Sequence, residues 1–150
     1  MAGTGTGAGV QLINERTHTA VATVVEIAVS RVDRRRGLLG RDGLDASAAL
    51  MLAPCAAVHT AFMRFALDVV FVDRSGRVRK IVQGLEPWRM SASFGAYAAI
   101  ELAAGGPRDL VPGDRLYLSH RADADTLSEV VQAFTPATPP RSRSGRQTSV

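Results

Sequence analysis

Six consecutive residues, Leu67-Asp-Val-Val-Phe-Val72, set the strongest constraint on how this chain can fold. Five of the six are apolar, so neither face of the segment suits water. It is far too short for a membrane helix, which takes about 20 apolar residues. Its β-branched and aromatic content favours a strand over a helix. The segment therefore reads as a strand buried on both faces. Asp73-Arg-Ser-Gly76 follows with turn chemistry, and Arg77 to Val82 returns the chain as the second arm of a hairpin.

The other apolar runs are short and similar in kind. Val10 to Asn14 and Val21 to Val29 have strand character and pair across Glu15 to Ala20. The second places Val21, Thr23, Val25, Ile27 and Val29 on one face by alternation. Ser30 with Asp33 three residues on forms a capping box, opening a short helix that Gly40 ends, with Arg34, Arg35 and Arg36 on its exposed side. Ala49 to Ala53, closed by Pro54, Tyr97 to Leu102, and Arg115 to Leu118 after the Pro112-Gly-Asp114 turn supply further strands. The fold class expected is α+β, mainly β: a small barrel-like or strongly curved antiparallel sheet with one or two short helices. Leu127, Val130, Val131 and Phe134, at i, i+3, i+4 and i+7, mark a second, amphipathic helix folding back on the domain.

A chain of 150 residues with 46% hydrophobic and 21% charged residues matches one globular domain. Residues 10–134 are its expected extent. Residues 1–9 are Gly, Ala and Thr without periodicity after Met1, and 135–150 are rich in Pro, Ser and Arg, so both ends are expected to lack structure. The single cysteine, Cys55, excludes an internal disulfide. With no export-like start and no long apolar stretch, the expectation is a soluble cytoplasmic protein without a membrane partner.

The net charge of +4 suggests nucleic acid, but Arg141, Arg143 and Arg146 lie in the last ten residues, and without them basic and acidic residues almost balance. A nucleic-acid-binding fold carries its basic excess on a folded face, so nucleic acid ranks last among partners.

Four segments, Arg36-Gly-Leu-Leu-Gly-Arg41, Val58-His-Thr-Ala-Phe-Met-Arg64, Leu67-Asp-Val-Val-Phe-Val-Asp73 and Gly113-Asp-Arg-Leu116, resemble in order and spacing the bacterial and archaeal domain of unknown function 192. The resemblance spans about Leu12 to Leu118. It implies a compact, mainly β domain with a short helix near the Arg-Gly-Leu-Leu-Gly-Arg segment, and no established activity. The chain departs from the family in lacking a Trp near Phe62 and Met63, and in having Ala66 where a Pro is usual.

The candidate site residues are few. Cys55 and His59 are four apart, a spacing that puts both side chains on one face. They could serve as metal ligands, as a thiolate with its base, or as a small buried residue beside a hydrogen-bonded one. Asp68 is the odd residue of the apolar strand. It is expected to anchor a loop through backbone N–H groups, to pair with Arg64, or to face a ligand. Arg36, Arg41, Arg64 and Arg89, with Trp88 adjacent, could form an anion-binding rim.

No phosphate loop, nucleophile elbow or zinc-binding helix motif is present. The sequence thus points first to an accessory binding module presenting a shallow polar site to a protein or a small anionic ligand. The alternative is a hydrolase-like enzyme using Cys55, His59 and Asp68. No metal and no cofactor is implied.

Overall fold

The computed structural model describes residues 5–7, 9–106 and 109–120. The Leu127 to Phe134 segment and residues 135–150 lie outside them. Among the described residues, eleven strands and one helix run in the order β1 Gly5–Gly7, β2 Val10–Asn14, β3 Thr19–Ala22, β4 Val24–Ala28, α1 Arg31–Arg36, β5 Ala48–Leu52, β6 Ala57–His59, β7 Leu67–Val72, β8 Val78–Leu85, β9 Met90–Ala92, β10 Ala98–Ala103 and β11 Leu116–His120. They form a six-stranded sheet of order β1-β4-β5-β10-β7-β8, a three-stranded sheet β11-β2-β3, and a two-stranded ribbon β6-β9.

The mainly β expectation holds, but the sheet is neither wholly antiparallel nor closed into a barrel among the described residues. β4 and β5 run parallel. A parallel pair needs a crossover connection, and α1 supplies it. Ser30 caps that helix as expected: its Oγ accepts from the Asp33 backbone N–H at 3.0 Å and donates to the Asp33 carboxylate at 2.6 Å. The helix ends earlier than Gly40, because Gly37 already takes a positive φ of 44° and closes the last turn on the Asp33 carbonyl.

Two further expectations need correction. The Val21 to Val29 run is not one alternating strand; it breaks at Thr23, whose N–H bonds the Ser47 carbonyl at 2.8 Å. β3 stays with β2, β4 crosses to β5, and the buried residues are Ala22, Val25 and Ala28, while Thr23 and Val29 are exposed. The leading segment also contributes structure, since Gly5–Gly7 pairs with β4 as an edge strand. Backbone ladder bonds suffice for that pairing, so composition without apolar side chains does not preclude it.

The Leu67–Val72 run is buried along its whole length, because the six-stranded sheet is covered on both faces. Val70 and Val72 point, with Ile100 and Leu102, toward the three-stranded sheet, where Val10, Leu12 and Leu116 meet them. Leu67, Val69 and Phe71 point the other way, with Leu50 and Ala99, toward Leu38, Val58 and Met63. The first face thus packs on a sheet. The second packs on the α1 connection and the β6-β9 ribbon.

At the β7-β8 turn, Asp73 Oδ1 accepts from the Ser75 and Arg77 N–H groups at 2.9 and 3.1 Å. Gly76 seats β11 against this turn: a Cβ there would lie 2.2 Å from the Leu116 carbonyl oxygen, at a φ of 81°. The Pro112-Gly-Asp114 turn is fixed by Asp114, which accepts from Asn14 Nδ2 at 2.9 Å, Val111 N at 3.0 Å and Arg16 Nε at 2.7 Å. The Arg16 guanidinium holds that carboxyl well below the usual carboxylate range.

Candidate functional site

The two faces of β10 carry different chemistry. Ile100 and Leu102 enter the apolar core under the three-stranded sheet, whereas Ala99 and Glu101 face the α1 side. Glu101 stands between Leu50 on β5 and Val69 on β7 in the ladder. It is only 4% exposed, and its Oε2 has no hydrogen-bond partner. Burial without a paired donor disfavours the ionised form, and pushes the Glu101 carboxyl up to about 7, an effect the nearby Arg41 charge partly offsets.

This carboxyl lines a cavity of about 70 Å³ together with Arg34, Arg35, Arg36, Cys55 and His59. The Arg36-Gly-Leu-Leu-Gly-Arg41 segment arches over the sheet as its roof, with Leu38 buried beneath. A second cavity of about 270 Å³ lies on the other side of the same strap, between Asp33, Arg36, Arg41 and Leu50. Toward solvent the first opens onto a shallow area of about 350 Å³ bounded by Arg31, Arg34, Arg35, Cys55 and His59.

The cationic groups around the groove differ in commitment. Arg41 is spent on Glu26, in a bidentate pair at 2.8 and 3.2 Å that lowers the Glu26 pKa and raises its own. Arg34 donates to the Val29 and Ala53 carbonyls, which fixes the guanidinium beside the cavity. Arg31, Arg35 and Arg36 form no ion pair among the described residues. Three consecutive basic side chains, Arg34 to Arg36, thus line the same cavity as a carboxyl whose ionised form burial disfavours.

Cys55 and His59 share the groove wall, as their spacing implies. They do not form a nucleophile and base: the Cys55 thiol donates to the Ala57 carbonyl at 3.1 Å, and partial burial pushes its pKa up. Asp68 is on the opposite face of the sheet, paired across the ladder with Leu102, and its Oδ1 accepts from the Gly84 N–H at 2.8 Å. Residue parity on β7 and β10 keeps it away from Cys55 and His59. The loop-anchoring role expected for Asp68 is the one this geometry fits.

Arg64 does not serve Asp68 either; it pairs at 2.6 Å with Asp42, both side chains being exposed. The expected rim of Arg36, Arg41, Arg64 and Arg89 therefore separates. Arg36 and Arg41 line the groove, while Arg89 lies beside Trp88, its backbone tied to Thr60.

Glu101 is the residue that sequence reading passed over. A lone acid inside Ala98-Ala-Ile-Glu-Leu-Ala103 carries the same signal as Asp68 inside its apolar strand, and the rule applied to one identifies the other. Among the described residues no group of three or more His, Cys, Asp or Glu side chains is placed to hold a metal ion, and no helix is long and apolar enough to cross a membrane.

The fold resembles two solved structures, each with a TM-score of 0.63. One is a protein of Sinorhizobium meliloti 1021 described as a candidate transcription regulator, 24% identical, with 72% of this chain and 90% of that one covered. The other is a protein of unknown function from Novosphingobium aromaticivorans DSM 12444, 20% identical, with 72% of this chain and 82% of that one covered. Both likenesses concern the fold. No curated protein matches the chain significantly. The model of the family DUF192, described as an "Uncharacterized ACR", matches residues 12–118, from β2 to the middle of β11, and takes in the strap, the ribbon and Glu101; the chain belongs to that family.

Proposed function

We propose that this chain is a binding module that holds a small anion in the groove beneath the Arg36–Arg41 strap. The observation that carries the reading is the pairing of uncommitted arginines, Arg35 and Arg36, with a buried carboxyl that has a bare oxygen and opens into the same cavity. Guanidinium forks suit a carboxylate or a phosphate oxygen pair. Glu101, when protonated, adds an O–H donor at the floor; when ionised, it repels the same ligand. The dimensions suit a ligand of a few heavy atoms. The hydrolytic alternative through Cys55, His59 and Asp68 is disfavoured by Asp68 on the far face and by the raised thiol pKa.

Acetate stays ionised across neutral pH, which makes it the cleaner probe. Chemical-shift titration with acetate should give saturable changes in residues 34–39 and 55–59. Binding should be tighter at about pH 6 than at about pH 8, because Glu101, with a pKa of about 7, loses its charge on acidification. The Arg35→Ala, Arg36→Ala double variant should weaken it at least about tenfold, the loss of about 1.4 kcal/mol. Glu101→Gln should flatten that pH dependence. Shifts that never saturate, or that survive loss of both arginines, would overturn the reading.

A further inference from the structure

Phe62 and Trp88 are 74% and 61% exposed, yet they are held as one unit, ring centroids 4.6 Å apart and planes at 59°. Both sit at positive φ, 64° and 63°. That region is unfavourable for a bulky residue and persists only where the surroundings impose it. The imposing element is Thr60, itself 1% exposed. Its carbonyl accepts from the Trp88 and Met63 N–H groups at 3.0 and 3.1 Å, its N–H donates to the Arg89 carbonyl at 2.9 Å, and its hydroxyl donates to the Glu86 carbonyl at 2.6 Å while accepting from the Arg89 N–H. Two turns are thereby locked together, with the consequence that two aromatic rings stand in water. Among the described residues, burial of the rings does not repay that strain.

The pair continues into a strip. Met90, two residues beyond Trp88 and 75% exposed, stands opposite His59 on the outer face of the β6-β9 ribbon. Directly opposed side chains have Cβ atoms about 5 Å apart. His59 in turn borders the shallow area of Arg31, Arg34 and Arg35. The strip is therefore apolar at one end and cationic at the other. At the apolar end the cations Arg64 and Arg89 are matched in number by the acids Asp42 and Glu86, so charge there is near balance. At the α1 end no acid lines the shallow area.

We infer that this strip is a docking surface for an acidic protein segment that sets an apolar side chain against Phe62, Trp88 and Met90 and its carboxylates against Arg31 and Arg35. A protein partner is favoured over a small molecule because small ligands are mostly enclosed by concave sites, whereas these rings stand well out into solvent. Trp, Phe, Met and Arg are also the residues enriched at interface centres. Charge complementarity sets the sign of the partner. The inference goes beyond the small-anion reading, and its apolar end has no part in acetate binding.

Trp88 is the one tryptophan of the chain, so its emission reports this site alone. A short glutamate-rich peptide carrying one Phe and one Leu should shift the Trp88 emission of the full chain to the blue, saturably. The same peptide with Ser in place of both apolar residues should bind at least about tenfold more weakly. Phe62→Ala and Arg35→Glu should each weaken the first peptide by a similar factor, and Met90→Ser stands in should Phe62→Ala not fold. Absence of a shift, equal response to both peptides, or binding that survives every variant overturns the inference. So does a Trp88 already shielded from iodide in the free chain, which would show the strip occupied by the chain itself. Failure here with acetate binding intact sinks only the docking surface, and the reverse result sinks only the anion site.

Discussion

The two faces of the six-stranded sheet bury carboxylates in opposite ways. Toward the three-stranded sheet, Asp68 receives the Gly84 N–H, and at the sheet's end Asp114 receives Asn14, Arg16 and Val111. Toward α1, Glu101 buries an oxygen that receives nothing. A buried acid with matched donors is a structural fastener; one without them costs free energy and persists where something besides stability favours it. The difference separates carboxylates that fasten the fold from one that leaves an unmatched oxygen beside a cavity.

Asp114 offers the largest test of that contrast. Removing its carboxylate leaves the Val111 N–H without its acceptor and leaves Asn14 Nδ2 and Arg16 only their bonds to Asp109. Asp114→Ala should cost about 3 kcal/mol in chemical denaturation, chiefly through the lost buried hydrogen bonds. The sign with pH follows from the direction of its shift. Its folded pKa lies below the unfolded value, so the stabilisation is full at neutral pH and is lost as pH falls through and below the usual carboxylate range. A variant as stable as the parent at pH 7 would break the fastener side of the comparison.

Glu101 should behave in the reverse sense. Its pKa rises from 4.5 to about 7 on folding, so the folded state holds its proton more tightly than the unfolded state. Stability is then highest below the unfolded value and declines as pH rises to about 7, by about 3 kcal/mol at most. Glu101→Gln should flatten that slope and leave the variant more stable than the parent at about pH 8, as measured by urea denaturation across pH. A parent whose stability is flat from about pH 5 to pH 8 would mean that Glu101 has a partner in solution, and the cavity would lose its main argument.

How far these roles were legible in the sequence depended on how local their causes are. Leu67 to Val72, the Asp73–Gly76 turn and the Ser30–Asp33 cap announce themselves, because side-chain type and near-neighbour bonds decide them. The strands β6 and β9 do not. Each is three residues long, and their pairing depends on Thr60 joining turns 26 and 29 residues apart. The Cys55 and His59 pairing on one face followed from spacing, whereas the place of Asp68 on the other side of the sheet required the register of β10. Arg36 and Arg41 were visible as a motif. That one is committed to Glu26 and the other is free is a property of the strap's path.

Asp68 provides the finest discrimination, since it and Glu101 are neighbours on adjacent strands and differ in which face they enter. Asp68 Oδ1 holds the Gly84 N–H at 2.8 Å, at a point where Gly84 itself takes a φ of 62°. Alanine at 68 would take the acceptor away from that part-buried donor, beside Val70, Ile81 and Leu102, at a cost of about 1 kcal/mol. Asparagine keeps an oxygen of the same reach, so Asp68→Asn should lose about half of that or less. The order Ala worse than Asn, with both near neutral pH and both leaving acetate binding unchanged, is what a loop fastener predicts. Hydrogen exchange at Gly84 gives the local readout, since its protection should fall in the Ala variant and largely persist in the Asn one. Equal loss in both variants would instead mean that the negative charge matters, and Asp68 would then join Glu101 as a carboxylate kept for something other than the fold.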